Sequence, residues 1–202
     1  LNINVLRPNI NTCYADFTSN GKDFLYALGA IKNVGYEAIS NVIKERTKNG
    51  KYKNISDFIN RTNPKNINKL QLEGLVKAGA FDEINNNRQS LFNSIPNIIL
   101  KSKNNFENKM DNQINLFDDE FKSKDNFLDQ IDDWKIDIKL SKEFETLGFF
   151  ISDHPLNQYK IIFNQYNIIS HEEFENDKNL LSSNIACTVL KVQEKKTQKG
   201  NS

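Results

Sequence analysis

The chain has 202 residues, of which 38% are hydrophobic and 26% charged, with a formal net charge of +1. That length suits one or two modest domains. It excludes a membrane-spanning protein by its pattern, because no apolar run approaches the ~20 residues a spanning helix needs, and the start lacks a signal-peptide pattern. Cys13 and Cys187 are too few and too far apart in sequence for a disulfide framework, which fits a reducing, cytoplasmic setting. The chain begins at Leu1 without Met and ends just after an expected strand, so we read it as a fragment cut at both ends. The abundance of Asn, Lys and Ile follows AT-rich codons and is not taken as function.

The charge is uneven. Residues 22–79 hold eleven Lys/Arg against five Asp/Glu, and residues 104–145 hold six Lys against twelve Asp/Glu. A basic part followed by an acidic part suggests one surface for nucleic acid and another segment kept away from it.

Leu1–Asn11 is polar and irregular, with Pro8 against any helix. Asp16–Thr18 and Asp23–Tyr26 flank Ser19-Asn20-Gly21-Lys22, which predicts a short β-hairpin. The stretch Leu28–Arg46 (LGAIKNVGYEAISNVIKER) reads as a loop feeding a helix. Ala38, Ile39, Val42 and Ile43 recur at helical spacing as one apolar stripe, and Gly50 stops the helix after a basic last turn. In the loop, Ile31-Lys32-Asn33-Val34-Gly35, Gly35 permits close backbone approach. The first helical turn leaves amides without partners in the positive field of the helix dipole, an arrangement that binds phosphate. This resembles a helix-hairpin-helix motif. Val34, Gly35 and Ala38 match its Gly-hydrophobic-Gly core and following Ala. Asn33 stands where the first Gly is common, and Asn tolerates a left-handed backbone. The candidate DNA contacts are Lys32, Asn33, Val34, Gly35, Tyr36, Lys44 and Arg46. The bland alternative is an ordinary turn between packed helices.

A short helix is expected from a Ser56 cap through Ile59, broken by Pro64. Asn68–Ala78 is the next helix, with Leu72, Leu75 and Val76 inward and Gly79 as its stop. Arg88–Lys101 follows an Asn-rich loop, so helix, turn, helix occurs twice. Lys101–Lys124 has too few apolar residues to fold alone and reads as a linker. Within it, Gln113-Ile114-Asn115-Leu116-Phe117 places two adjacent apolar residues in polar surroundings, as in peptides that dock in a partner's groove. Its alternative is a pair that packs back on its own domain. Trp134 opens the next folded stretch. Ile138–Leu147 is an expected helix with Leu140, Phe144 and Leu147 on one face. Phe149-Phe150-Ile151 is expected to be buried, His154 to be structural, and Asn157–Gln165 to be helical. Ile185–Gln193 alternates as a strand, with Lys195–Gly200 as its basic turn.

These motifs in this order, YALGAIKNVG at Tyr26–Gly35, KYKNISDF at Lys51–Phe58, LVKAGAFD at Leu75–Asp82, the Gln113–Phe117 pentapeptide and LGFFISDHPL at Leu147–Leu156, resemble the alpha subunit of bacterial DNA polymerase III over nearly the whole chain. The resemblance implies a mainly α fold. Residues 1–25 would end the fingers region with a β-hairpin, and residues 26–101 would form a tandem helix-hairpin-helix domain on duplex DNA. Residues 102–124 would be a flexible linker, 125–180 a small helical segment, and 181–202 the first strand of a truncated OB-fold that meets single-stranded DNA. Gln113, Leu116 and Phe117 would bind the sliding clamp, and other holoenzyme subunits would be further partners. The parent enzyme would be a DNA-directed DNA polymerase using Mg2+. No catalytic or metal residue is assigned here, because Asp118-Asp119 and Asp132-Asp133 read as solvated charge and His154, His171, Cys13 and Cys187 lack metal-ligand spacing. The rivals are a helix-hairpin-helix module of a repair nuclease or ligase, and a non-enzymatic adaptor.

Overall fold

The structure, a computed structural model, describes residues 4–110 and 127–193, with the side chains of residues 109 and 110 not described. The chain forms two compact units, Leu1–Ser152 and Asp153–Ser202.

The first unit opens with a small sheet. Strand β1 (Asn4–Leu6) runs parallel to β3 (Asp23–Leu25), and β2 (Thr18–Ser19) runs antiparallel to β3, giving the order β1-β3-β2. The hairpin of β2 and β3 is the expected one. Its turn is held by the Asn20 side chain, which accepts from the amides of Lys22 and Asp23. Strand β1 lies in the stretch expected to be irregular. Three residues are too short for alternation to show, and the strand exists because β3 offers an edge.

A short 3₁₀ helix, Leu28–Ala30, leads into the loop and then α1 (Tyr36–Asn49). Ile39 and Val42 of the expected stripe are buried, Ala38 and Ile43 half-buried. Gly35 and Gly50 bound α1 at φ 77° and 84°. Helix α2 (Ile55–Arg61) is capped by Asn54, whose side chain accepts from the Asp57 amide. Ser56, the expected cap, is instead buried inside the helix. Helix α3 (Lys69–Lys77) starts with a reciprocal capping box between Asn68 and Gln71, and buries Leu72, Leu75 and Val76 as expected. The expected helix Arg88–Lys101 is divided into α4 (Arg88–Asn93) and α5 (Ile95–Met110) around Ser94, two residues before Pro96. Helix α5 therefore runs on through the first part of the expected linker. It packs there: Ser102 is buried, and Asn105 Nδ2 donates to Asn60 Oδ1 at 2.6 Å.

Beyond residue 126 the chain returns to the same unit. Leu128 joins the core cluster, Trp134 packs on Phe92 with ring centroids 5.4 Å apart, and α6 (Ile136–Leu147) buries Leu140. Residues 127–152 thus lie in the same compact unit as the helices of residues 26–101. Phe149 is exposed, and Phe150 and Ile151 are half-buried, because Gly148 ends α6 in a left-handed turn and the next residues leave the core. A buried charge cluster fastens α6. Arg88 binds Asp82 through two nitrogens, at 2.9 and 2.6 Å, and reaches Glu143 Oε1 at 2.9 Å. Glu143 also accepts from the amide and hydroxyl of Ser152.

The second unit contains a 3₁₀ helix (Pro155–Tyr159), α7 (Lys160–Gln165) and α8 (His171–Asn176). His154 has a structural contact, its Nδ1 accepting from the Leu156 amide at 3.2 Å. Ile185–Gln193 is not a strand, contrary to expectation. Alternation supplies the pattern, but a strand needs a paired neighbour, and none pairs with it among the described residues. The basic turn, residues 195–200, lies outside the described residues.

Two substitutions test this packing. Arg88→Met leaves Glu143 buried without its cation and should cost about 3–5 kcal/mol in urea unfolding. Gly74→Ala should cost about 1–3 kcal/mol, because a Cβ there would sit 2.7 Å from the Lys32 carbonyl oxygen, a backbone atom that cannot swing aside.

Candidate nucleic-acid interface

The loop before α1 takes its shape from two left-handed residues, Asn33 at φ 68° and Gly35 at φ 77°. Asn33 therefore does what the missing glycine would do. Val34 between them is 1% exposed and anchors the loop in the core. Three contacts fix the backbone. The Lys32 amide donates to the Thr146 carbonyl at 3.1 Å, the Gln71 side chain donates to the Val34 carbonyl at 2.8 Å, and Gly74 lets the Lys32 carbonyl lie close against α3. Gln71 also closes the capping box of α3, so one side chain ties the starts of α1 and α3 together.

With its inner face fixed, the loop presents an outer one. Lys32, Asn33, Gly35 and Tyr36 are exposed, and Tyr36 is 56% accessible. Helix α1 begins at Gly35 without a side-chain cap, whereas Asn54, Asn68 and Asn87 cap α2, α3 and α4. The first turn of α1 thus has no side-chain cap for its amides, and carries positive partial charge beside Lys32. Glu37 in the same turn opposes an anion and sits exposed.

Lys44 is exposed two turns further on. Arg46 departs from expectation. It is 7% exposed, and its Nη1 donates to the carbonyls of Ile10 at 2.6 Å and Cys13 at 2.8 Å, under the Tyr14 ring. Burial lowers its pKa, countered by its neighbours. It fastens the N-terminal segment to α1 and turns no face toward a phosphate. Helical spacing puts Arg46 on the side of Ile39 and Val42, which face the core.

The second helix-turn-helix is closed. Gly79 turns the chain at φ 76° between α3 and α4, with the Arg88 guanidinium packed against it. The start of α4 is covered by the returning chain. Asp133 accepts from the Gln89 amide at 3.1 Å, the Ser90 hydroxyl donates to the Asp129 carbonyl at 2.6 Å, and Asn87 Nδ2 donates to the Ile131 carbonyl at 2.6 Å. Asp133, expected as solvated charge, also pairs with Lys139, and these contacts outweigh burial to hold its carboxyl below the ordinary value. Gln113, Leu116 and Phe117 lie outside the described residues. Among the described residues no helix is long and apolar enough to cross a membrane, and no three His, Cys, Asp or Glu residues are grouped to hold a metal ion.

Residues 2–91 match the family model described as a helix-hairpin-helix motif. The chain is also similar to proteins named DNA polymerase III subunit alpha. The one from Campylobacter jejuni is 35% identical over 89% of this chain and 15% of the relative. That from Borreliella burgdorferi is 33% identical over 97% of this chain and 18% of the relative. That from Rickettsia bellii is 42% identical over 76% of this chain and 13% of the relative. The chain therefore spans less than a fifth of the length of these relatives. Its sequence belongs to the DNA polymerase III alpha family, as one segment of that subunit with a helix-hairpin-helix motif in its N-terminal part.

Proposed function

We propose that this chain is the part of a replicative DNA polymerase that holds duplex DNA by its backbone and tethers the enzyme to a sliding clamp. The observation that carries the DNA reading is the uncapped start of α1, rigidly held beside Lys32 and Gly35. Backbone amides and lysine ammonium groups bind phosphate without reading bases. A polymerase needs that indifference, because it must move over any sequence. Lys32, Asn33, Gly35, Tyr36 and Lys44 are the proposed contacts. Val34 serves by anchoring the loop and Arg46 by fastening α1.

The names of the relatives favour a polymerase over a repair nuclease, a ligase or an adaptor. The polymerase activity and the other holoenzyme subunits are proposed for the whole subunit. The magnesium ions of phosphoryl transfer do not fit the described residues, which offer no cluster of metal-binding side chains, and we assign no step to them here. Gln113 would sit at the edge of a clamp groove, with Leu116 and Phe117 filling it. Residues 185–193 would contribute to single-strand binding only once paired with further strands. We propose a cytoplasmic setting, where chromosome replication takes place.

Two experiments test this. Duplex affinity of the chain should fall steeply with salt, with a slope of about −0.9 per phosphate neutralised. Gly35→Val strains a left-handed position by about 1–3 kcal/mol and should weaken DNA binding in a folded protein. Salt-independent binding would instead favour the adaptor. Separately, the chain should bind a bacterial sliding clamp, and Leu116→Ala with Phe117→Ala should abolish that binding while leaving DNA affinity unchanged. A folded wild-type chain that ignores the clamp would remove the tether from the proposal.

A further inference from the structure

The outer face of α1 carries a feature that the loop does not use. Lys44 and Glu45 lie three and four residues after Asn41, and Lys48 lies four and three residues after them, so the four share one continuous stripe. The chain after α2 runs past this stripe and brings Asn63 and Asn66 opposite it. Between the two walls lies an open cavity of about 310 Å³. Its lining residues are polar or charged apart from Val42, and its free charge is positive. Lys44 and Lys48 make no ion pair among the described residues. Glu45 is the one carboxylate in the lining, and it is already engaged. Arg61 donates to it at 2.9 Å, and Asn49 Nδ2 donates to both of its oxygens, at 2.8 and 2.9 Å. Asn49 chiefly, with Arg61 and Lys48 adding, keeps this carboxyl below its ordinary pKa. Arg61 is itself held by Asp57 and the Gly50 carbonyl.

We propose that this groove is a second nucleic-acid backbone site, taking a phosphodiester of the same duplex that the loop holds. Lys44 and Lys48 supply the charge. The side-chain amides of Asn41, Asn63 and Asn66 supply hydrogen-bond donors. Glu45 is neutralised by its neighbours and sets the groove's anion-facing side apart from the α2 side. The inference rests on the duplex-binding reading above and extends it. Lys44 lies eight residues beyond Tyr36, ~12 Å along the helix at ~1.5 Å per residue. One strand of duplex DNA presents a charge every ~3.4 Å of its axis. A duplex lying obliquely across the outer face of α1 would offer phosphates both at the start of the helix and at the groove. Two separated grips on one backbone also fix its direction, which a single phosphate contact leaves free to pivot.

The test is duplex binding by fluorescence anisotropy across a salt series, with the full chain and a labelled duplex of arbitrary sequence. Lys48→Ala combined with Asn41→Ala changes exposed side chains and puts a better helix former at both positions, so the fold should hold. The expected result is weaker binding and a salt slope reduced by about one, with the slope restored in Lys48→Arg. Lys32→Ala provides the arm for the loop. If Lys32→Ala weakens binding while the groove variant keeps wild-type affinity and slope, the groove proposal is overturned and the loop reading stands. If neither variant changes binding, both fall.

Discussion

Everything proposed for this molecule depends on how the loop at residues 31–35 is held. A loop that grips phosphate by backbone amides works only if those amides already point outward. Here the restraint is applied from inside. Thr146 takes the Lys32 amide, Gln71 takes the Val34 carbonyl, and the Val34 side chain is sunk in the core. Gly74 is part of the same device, since any side chain there would push the loop off α3. The conformational entropy of ordering the loop is met during folding, so binding does not incur it again. The restraint also explains why α6 matters to a site far from it in sequence. Thr146 can serve the loop only while α6 is docked, and the buried Arg88–Glu143 pair docks it.

The two kinds of cation divide the work. Arg46, Arg61 and Arg88 are turned inward, where each guanidinium binds several acceptors away from its own turn of helix. The planar group with its fixed fork of donors suits that use. Lys32, Lys44 and Lys48 stay outside as solvated charges. The basic excess of residues 22–79 is therefore a surface property mainly of lysine. A net charge counted along the chain cannot make that separation, because it treats an internal fastener and an exposed ammonium alike.

That difference marks what the sequence could reveal. Periodicity placed α1 and α3 well, because their apolar stripes are long enough to repeat. Local backbone chemistry placed the left-handed Asn33, the β-turn at Asn20 and the stops at Gly50 and Gly79, since each depends on the residue itself. Contacts between distant segments were not legible. Strand β1 is recruited by β3, Arg46 reaches back to Ile10 and Cys13, and α6 returns across the linker to meet the loop. No window of neighbouring residues holds that information. The extension of α5 to Met110 was hidden for a related reason. Its polar face looks like linker composition, and the burial of Ser102 and the contact of Asn105 with Asn60 are what show that it packs.

The return of the chain also changes how a clamp-binding peptide at residues 113–117 would operate. Helix α5 on one side and Phe127 on the other belong to the same compact unit as the DNA-facing loop. The peptide is thus tied at both ends to one body, instead of joining two bodies that move apart. Closing a segment costs entropy that grows only slowly with its length, so the arrangement adds little penalty to folding. In the proposed tether, the distance between clamp and duplex would be set by the reach of that one segment. Tethering raises effective concentration only when the attachment spans both sites at once. If the proposed clamp contact forms, a peptide closed at both ends on the unit that carries the loop would hold clamp and duplex to one body, which is the condition tethering requires.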